Sequence, residues 1–465
     1  MDDKYDICVI GTGPGVYVAA IRAAQLGASV CAVEKAEVGG TCLIRGCIPS
    51  KMLISTVEKV KRVREGEALG IHAPDISLDW SALIKKKNET VTQLSSGIEF
   101  LFKKNKVTLL RGEAQLCAPG KVLVKSPDGS ETDIECKNVI VAAGSEPAII
   151  PAFNIDRNHI LTSTEALNLE QLPESMLIVG GGVIGCEFAC LFSSMGVKVT
   201  ILEALSRLFE TTNVDSEIAR RFQSIFKRRG IDMVFDAKIE EMKWDDGEKR
   251  VVAQLDSGDA KDAELALVSI GRSLNTKHIG LEDAGVEIDQ RGVVRVDEHT
   301  RTSVKGIYAI GDITGKWQLA HYASRQGILA VNHIMGKEDI LNEECVPSAI
   351  FTDPPIATVG LSESECAEKS IECTVAKAHF RSLGRPITEG EVEGLVKVIC
   401  EKETGILRGA QILGHEAPEM IHEATVAVQM QLTADQLAQV IHTHPTFSEV
   451  MLEAFENVHK LGIHS

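Results

Sequence analysis

An α/β chain with two nucleotide-binding units, followed by a third domain of mixed strands and helices, is the fold class this sequence predicts. Three observations predict it. A strand, a glycine-rich turn and a helix occur in succession twice; each copy closes on an acidic residue at the same interval; and no copy recurs after residue 349. The length of 465 residues agrees, because it leaves room for roughly three domains.

The first copy begins with the apolar run Tyr5-Asp6-Ile7-Cys8-Val9-Ile10, which enters Gly11-Thr12-Gly13-Pro14-Gly15-Val16. A helix-favouring stretch over 17–26 and a strand over 29–33 follow, ending at Glu34. In such a βαβ unit the glycines permit a tight turn and let a pyrophosphate approach a helix N-terminus, while the acid accepts from a ribose hydroxyl. Val16 stands at the third glycine position, where close helix-to-strand packing is usual, and Ala20 is the next small residue.

Soon after Glu34 comes Gly39-Gly40-Thr41-Cys42-Leu43-Ile44-Arg45-Gly46-Cys47-Ile48-Pro49-Ser50-Lys51. Five residues of regular helix rise roughly 7.5 Å, whereas a disulfide needs Cα atoms within about 6.8 Å. An undistorted helix would not hold a Cys42–Cys47 bridge. Gly46 and Pro49 are residue types that let a chain leave helical geometry, so a bent, easily reduced bridge is expected. Two independent buried thiols or half of a zinc site are the alternatives, although zinc sites favour closer ligands and a second pair.

Alternating strands such as 121–125 follow, then a strand over 138–143 that stops at Gly144-Ser145. Proline-bearing segments at 146–151 and around Pro173 place a boundary near residue 148. The second copy runs Leu177-Ile178-Val179-Gly180-Gly181-Gly182-Val183-Ile184-Gly185, with a strand over 197–202 ending at Glu203. One copy alone is weak evidence; two at equal spacing predict two dinucleotide sites. A carboxylate at 203 suits a free ribose 2′-hydroxyl and repels a 2′-phosphate, which favours NAD over NADP. Arg207 reads as a surface residue rather than a phosphate clamp.

Beyond it come a helix over 216–229, a strand over 264–270 ending in Gly271-Arg272, and a β segment over 306–310 ending in Gly311-Asp312. An aspartate there can bond a cofactor polyol or simply start a turn. The third domain carries a strand over 394–400 and helices over 418–431 and 434–440. Near its end, His444 could serve as a general base oriented by Glu449; a surface loop or a metal-like His-x-His are the other readings.

A net charge of −17 argues against nucleic acid or an anionic membrane as main partner. No charged, apolar and cleavable leader precedes Tyr5, and no apolar stretch approaches the ~20 residues of a membrane span. Twelve cysteines are too sparse for a secreted disulfide scaffold. A reducing cytoplasm is the expected home. Cys8, Cys31, Cys186, Cys190 and Cys400 read as small core residues.

Gly11 to Gly15 with Glu34, the 39–51 segment, Gly180 to Glu187 with Glu203, Gly311-Asp312, Leu319-Ala320-His321, the 351–360 segment and His444-Pro445 with Glu449 together resemble the flavin-dependent pyridine nucleotide disulfide oxidoreductases over essentially the whole chain. The resemblance is to the branch that oxidises protein-bound dihydrolipoyl groups. It implies two Rossmann-like domains, FAD at the first turn and NAD at the second, and a C-terminal α+β dimerisation domain. The expected divisions are 1–148 and 274–345 on the FAD side, 149–273 on the NAD side, and 346–465 for the interface.

By the same resemblance Cys42 exchanges with the substrate disulfide and Cys47 lies against the flavin as a thiolate. Lys51 and Glu187 form an ion pair beside the flavin ring, and His444 with Glu449 reach the site from the other subunit of a homodimer. FAD-side contacts are implied for Gly11, Gly13, Pro14, Gly15, Glu34, Thr41, Lys51, Ala114, Gly144, Asp312 and Ala320. NAD-side contacts are implied for Gly180, Gly182, Gly185, Glu187, Glu203 and Gly271, with no metal. The implied partners are lipoyl domains of 2-oxo acid dehydrogenase complexes or the glycine-cleavage H protein. Mercuric reductase, which needs a further cysteine pair beyond Cys400, glutathione-type reductases, which typically use NADP, and a redox sensor holding both nucleotides without turnover are the competing readings.

Overall fold

Ile7, Cys8, Val9 and Ile10 are all buried, the pattern of a central parallel strand covered on both faces. In the computed structural model, which describes residues 3–73 and 75–464, they belong to strand Asp3–Ile10, flanked by parallel strands Val30–Glu34 and Glu131–Val141. The sheet continues through Thr108–Arg111 on one side and an antiparallel hairpin of Glu113–Ala118 and Lys121–Lys125 on the other. A late segment, Ile307–Ala309, returns to pair in parallel with residues 139–141.

The second sheet is all parallel, in the order Asp232–Val234, Lys198–Leu202, Ser175–Val179, Leu265–Val268, Ile160–Thr162. Helix Ser216–Arg228 covers it because Ile218, Phe222 and Ile225, with Ala219 and Phe226, recur on one face. Phe209, Phe222 and Phe226 pack in series with tilted rings, centroids 5.3 and 4.2 Å apart, and each contributes on the order of 2–3 kcal/mol by burial. The third sheet is antiparallel, Ser348–Ile350, Ile356–Gly360, Leu407–Leu413, Leu395–Glu401, Cys373–His379, with helix Ala417–Gln429 packed on it. The predicted α/β class is the one observed.

Helix boundaries shift for local reasons. The first helix runs Pro14–Gln25, starting before residue 17, because proline is tolerated at the first helical position, where no amide donor is required. The same rule corrects the expectation for Pro49. It does not break the chain out of helical geometry but sits in the first turn of helix Cys47–Glu65. Cys8, Cys31, Cys186, Cys190 and Cys400 are buried.

Helix Cys47–Glu65 presents Leu53, Ile54 and Val57 to the same core as Phe188, Ala189 and Phe192 of helix Val183–Ser194. The first nucleotide-binding unit thus lays its cysteine-bearing helix against the helix that follows the second glycine turn.

Candidate active site

The first glycine turn ends at Gly13, the N-cap of helix Pro14–Gln25, and no side chain caps that helix. The helix start is therefore open to an anion, although Pro14 has no amide to offer and the Val16 amide donates to the Gly13 carbonyl at 2.9 Å. Glu34 is held at the carboxyl end of its strand: Oε2 accepts from Thr12 Oγ1 at 2.6 Å and Oε1 from the Ala36 amide at 2.9 Å. Thr12, fully buried, also accepts from the Gly39 amide at 3.2 Å, which joins the fingerprint to the cysteine segment. Gly11, Glu34, Gly144 and Asp312 all lie at the carboxyl ends of parallel strands of one sheet, where α/β folds bind ligands.

Ala320 begins helix Ala320–Ile334, again without a side-chain cap, and Ser324 Oγ donates to the Pro14 carbonyl at 3.1 Å. Ala114 stands in the antiparallel hairpin, near Glu34 because the Gly112 amide donates to the Glu34 carbonyl at 2.9 Å.

The second turn repeats the arrangement with different partners. Gly182 is the N-cap of helix Val183–Ser194, uncapped by any side chain, and a Cβ there would meet nothing within 4 Å. Glu203 accepts from the Gly181 amide at 2.5 Å and the Leu205 amide at 2.8 Å. Both residues line a cavity of about 1630 Å³ that also includes Gly180 and Gly271. Two uncapped helices, each beside an anchored carboxylate and, at the second, open space, fit two dinucleotides. Arg207 is half-buried rather than on the surface; its Nη1 donates to the Leu208 and Val214 carbonyls at 3.3 and 3.4 Å, which turns it onto its own loop.

Cys42 belongs to the short helix Gly40–Arg45 and Cys47 starts the next helix. The break between them falls at Gly46 alone, at φ −144° and ψ −113°. A Cβ there would lie 2.9 Å from the Thr41 carbonyl oxygen, so only glycine lets the two helices close on each other. Both cysteines are free, half-buried thiols. Each thiol acts on the other: the neighbouring Cys47 thiol, with burial, holds Cys42 above the ordinary thiol range, and the neighbouring Cys42 thiol, with the Lys51 charge, lowers Cys47 against the cost of burial.

Lys51 lies one turn on, with Nζ 2.9 and 2.8 Å from the two Glu187 oxygens. Phe351 completes this arrangement from the third domain. Its amide donates to Glu187 Oε1 at 3.0 Å, and its ring centroid is 4.6 Å from Lys51 Nζ. Arg272, Ser145 and Asp312 form a second polar group beside Thr41. Arg272 Nε donates to Ser145 Oγ at 2.6 Å, Ser145 Oγ donates to Asp312, and Thr41 Oγ1 donates to the Ser145 carbonyl at 3.4 Å. Roles for Phe351, Arg272 and Ser145 escape a motif search, since their partners are distant in sequence; only their positions at strand ends mark them.

His444 Nδ1 lies 2.8 Å from Glu449 Oε1, and the Thr446 amide donates to Glu449 Oε2 at 2.8 Å. Burial works against the Glu449 carboxylate, yet the His444 and Thr446 bonds together hold it below the usual range. No hydrogen bond among the described residues joins His444 to Cys42 or Cys47. The His444 side chain is 77 % exposed and neighbouring Ile441 96 % exposed. Among the described residues there is no cluster able to hold a metal ion, and no helix long and apolar enough to cross a membrane.

The profile described as pyridine nucleotide-disulphide oxidoreductase matches residues 5–327, and that of the corresponding dimerisation domain matches residues 346–455. The chain is 41 % identical over 456 residues to the dihydrolipoyl dehydrogenase of Chlamydia trachomatis, covering 98 % of this chain and 97 % of that protein. It is 38 % identical over 466 residues to that of Bacillus subtilis, covering 98 % of each. Among solved structures, LpdA from Mycobacterium tuberculosis superposes with a TM-score of 0.91 at 28 % identity, covering 98 % of this chain and 99 % of that one. The HOCl-induced flavoprotein disulfide reductase RclA of Escherichia coli, solved as a Cu(II) complex, gives 0.88 at 26 % identity over 98 % and 99 % of the two chains.

Proposed function

The chain belongs to the pyridine nucleotide-disulphide oxidoreductases, and from that premise we propose that it acts as a dihydrolipoyl dehydrogenase, oxidising protein-bound dihydrolipoyl groups with FAD and NAD as cofactors. The observation that carries this reading is the Cys42–Cys47 pair, closed on itself across Gly46 and set one turn from the Lys51–Glu187 ion pair.

With Nδ1–H donated to Glu449, His444 presents Nε2 as a base. A substrate thiol, with an ordinary pKa near 8.5, loses its proton to that nitrogen and attacks Cys42 Sγ of the oxidised pair. The Cys42–Cys47 bond breaks, and Cys47 leaves as the thiolate that its surroundings favour. The second substrate thiol then displaces Cys42 from the mixed disulfide, closing the lipoyl disulfide as its proton passes to the departing Cys42 sulfur. Two electrons have passed from substrate dithiol to enzyme dithiol. When bound, FAD supplies the route by which that electron pair reaches NAD. Lys51 and Glu187 cannot be separated cheaply, because removing either leaves a largely buried charge uncompensated.

FAD is assigned to the Gly11–Gly15 turn, Glu34, Thr41, Ala114, Gly144, Asp312 and Ala320, and NAD to Gly180, Gly182, Gly185, Glu203 and Gly271. The proposed divisions are those of the sequence: 1–148 and 274–345, 149–273, and 346–465. The exposure of His444 and Ile441 supports a homodimer in which the His444–Glu449 pair serves the partner's cysteines. The lipoyl domains of 2-oxo acid dehydrogenase complexes or the glycine-cleavage H protein bring the substrate, in the cytoplasm.

Lipoamide-dependent NADH formation tests the assignment. Cys42→Ser is expected to abolish it, and His444→Gln to lower it about 10²–10⁴-fold. Full activity in either variant would overturn the reading.

A further inference from the structure

Phe351 reaches the Lys51–Glu187 pair from the third domain, and the two residues after it show how that reach is held. Alternate amides of the segment meet helix Val183–Ser194 about one turn apart: Phe351 donates to Glu187 Oε1 at 3.0 Å, and Asp353 donates to Cys190 Sγ at 3.4 Å. Thr352 between them is buried, and its Oγ1 donates to the Pro354 carbonyl at 2.9 Å. The segment links strands Ser348–Ile350 and Ile356–Gly360 and belongs to neither, so no ladder of strand bonds sets its place.

The Asp353 carboxylate fastens it. Oδ2 lies 2.5 Å from Lys61 Nζ and 2.9 Å from Arg229 Nη1, and the same Nη1 donates to the Asp353 carbonyl. Lys61 stands on helix Cys47–Glu65, which also carries Cys47 and Lys51, and Arg229 follows directly on helix Ser216–Arg228 of the second unit. One oxygen thus takes a cation from each nucleotide-binding unit. The Asp353 side chain is only 18 % exposed, so these bonds are shielded from water. Without the carboxylate, Arg229 has no ion pair among the described residues, and Lys61 keeps only Glu65 of its own helix, 3.6 Å away. The adjacent basic residues pair further out. Arg62 lies 3.7 Å from Glu391 and Arg228 is bonded to Glu393, but all four side chains are a third or more exposed and their attraction is screened.

We propose that Asp353 is a positioning residue: by taking one cation from each nucleotide-binding unit, it fixes the 351–353 segment on helix Val183–Ser194, so that the Phe351 amide holds Glu187, and through it Lys51, one turn from Cys47. The inference rests on the proposed function in one respect, the place of the Lys51–Glu187 pair beside the flavin.

The test uses the FAD-loaded protein with two readouts. Hydrogen exchange at the Phe351 amide reads the segment directly, and flavin reduction by NADH, followed against NADH concentration, reads the site. Asp353→Asn keeps the shape and removes the charge; it is expected to speed exchange at Phe351 about tenfold or more while strand Ser175–Val179 exchanges as before. The limiting rate of flavin reduction is expected to fall about ten- to a hundredfold, with the half-saturating NADH concentration within about twofold, because the second glycine turn and Glu203 are untouched. Lys61→Gln removes one of the two cations and is expected to move both readouts the same way by about three- to tenfold; it decides the matter if the Asn variant does not fold. Glu391→Gln combined with Glu393→Gln is expected to leave both within about twofold. Unchanged exchange at Phe351 would overturn the proposal, as would faster exchange with an unchanged limiting rate, or a loss in the Glu391 and Glu393 variant as large as that in Asp353→Asn. Absence of lipoamide turnover in the unaltered protein would sink the proposed activity and leave both measurements standing, since neither uses lipoamide.

Discussion

The two glycine turns carry one motif and satisfy it in two ways. At the second, Gly185 occupies the third position, and a Cβ there would lie 2.0 Å from the Gly180 carbonyl oxygen. The helix can leave the strand only if that residue has no side chain. At the first turn the same position is Val16, fully buried among Ile7, Val9 and Ala20, with its Cγ2 3.7 Å from where a Gly11 Cβ would lie. The need for a small residue has moved by one. Gly15 faces helix Ala320–Ile334, and a Cβ on it would approach the Ala323 carbonyl oxygen to 2.9 Å. A glycine is demanded wherever another backbone comes closest, and the first unit has an extra helix that the second does not.

The anchoring of the acids differs as well. Glu203 is held by two backbone amides, Gly181 and Leu205, whereas Glu34 depends on one amide and the Thr12 hydroxyl. A side-chain partner can be removed by substitution and a backbone partner cannot. The two turns should therefore respond differently to mutation.

The largest effect is expected from Gly185→Val, which imposes at the second turn the residue the first turn tolerates. It should cost about 3 kcal/mol or more and remove NAD binding while FAD is retained; NAD titration of the FAD-loaded variant checks it, and an affinity within twofold of the unaltered protein would break the contrast. Val16→Ala should cost about 2 kcal/mol through the cavity left in the first core, with NAD affinity unchanged. Denaturant unfolding measures the cost, and a neutral result would mean that Val16 is not a packing residue. Thr12→Val should be smallest, on the order of 1 kcal/mol, because Glu34 keeps the Ala36 amide. Its signature is faster FAD release at unaltered NAD affinity, and equal release rates would show that the Thr12 bond does not position Glu34.

Much of the fold was legible. The strand over 121–125 and the helix starting at 216 match the structure at those boundaries, since alternation and a 3.6-residue apolar period are local signals. Pro49 misled because a proline is read as a breaker unless its place in the first turn is known, and the break itself depends on Gly46 meeting Thr41. Val16 could be noticed as a departure but not explained, since the helix that takes over the small-residue demand lies some three hundred positions away.

From residue order alone came the two nucleotide turns with their acids, the cysteine pair and the third domain, because each is a short-range pattern of residue types with its chemistry in its spacing. The tertiary structure alone decided which partners those residues keep. It brought Lys51 to Glu187 and Phe351, set Arg272 on Ser145 and Ser145 on Asp312, and left His444 facing outward on its own subunit. The physical reason is range: a turn or a helix is determined by neighbours a few residues apart, whereas the electrostatics of a buried thiol is determined by charges that only the packing of distant segments brings together.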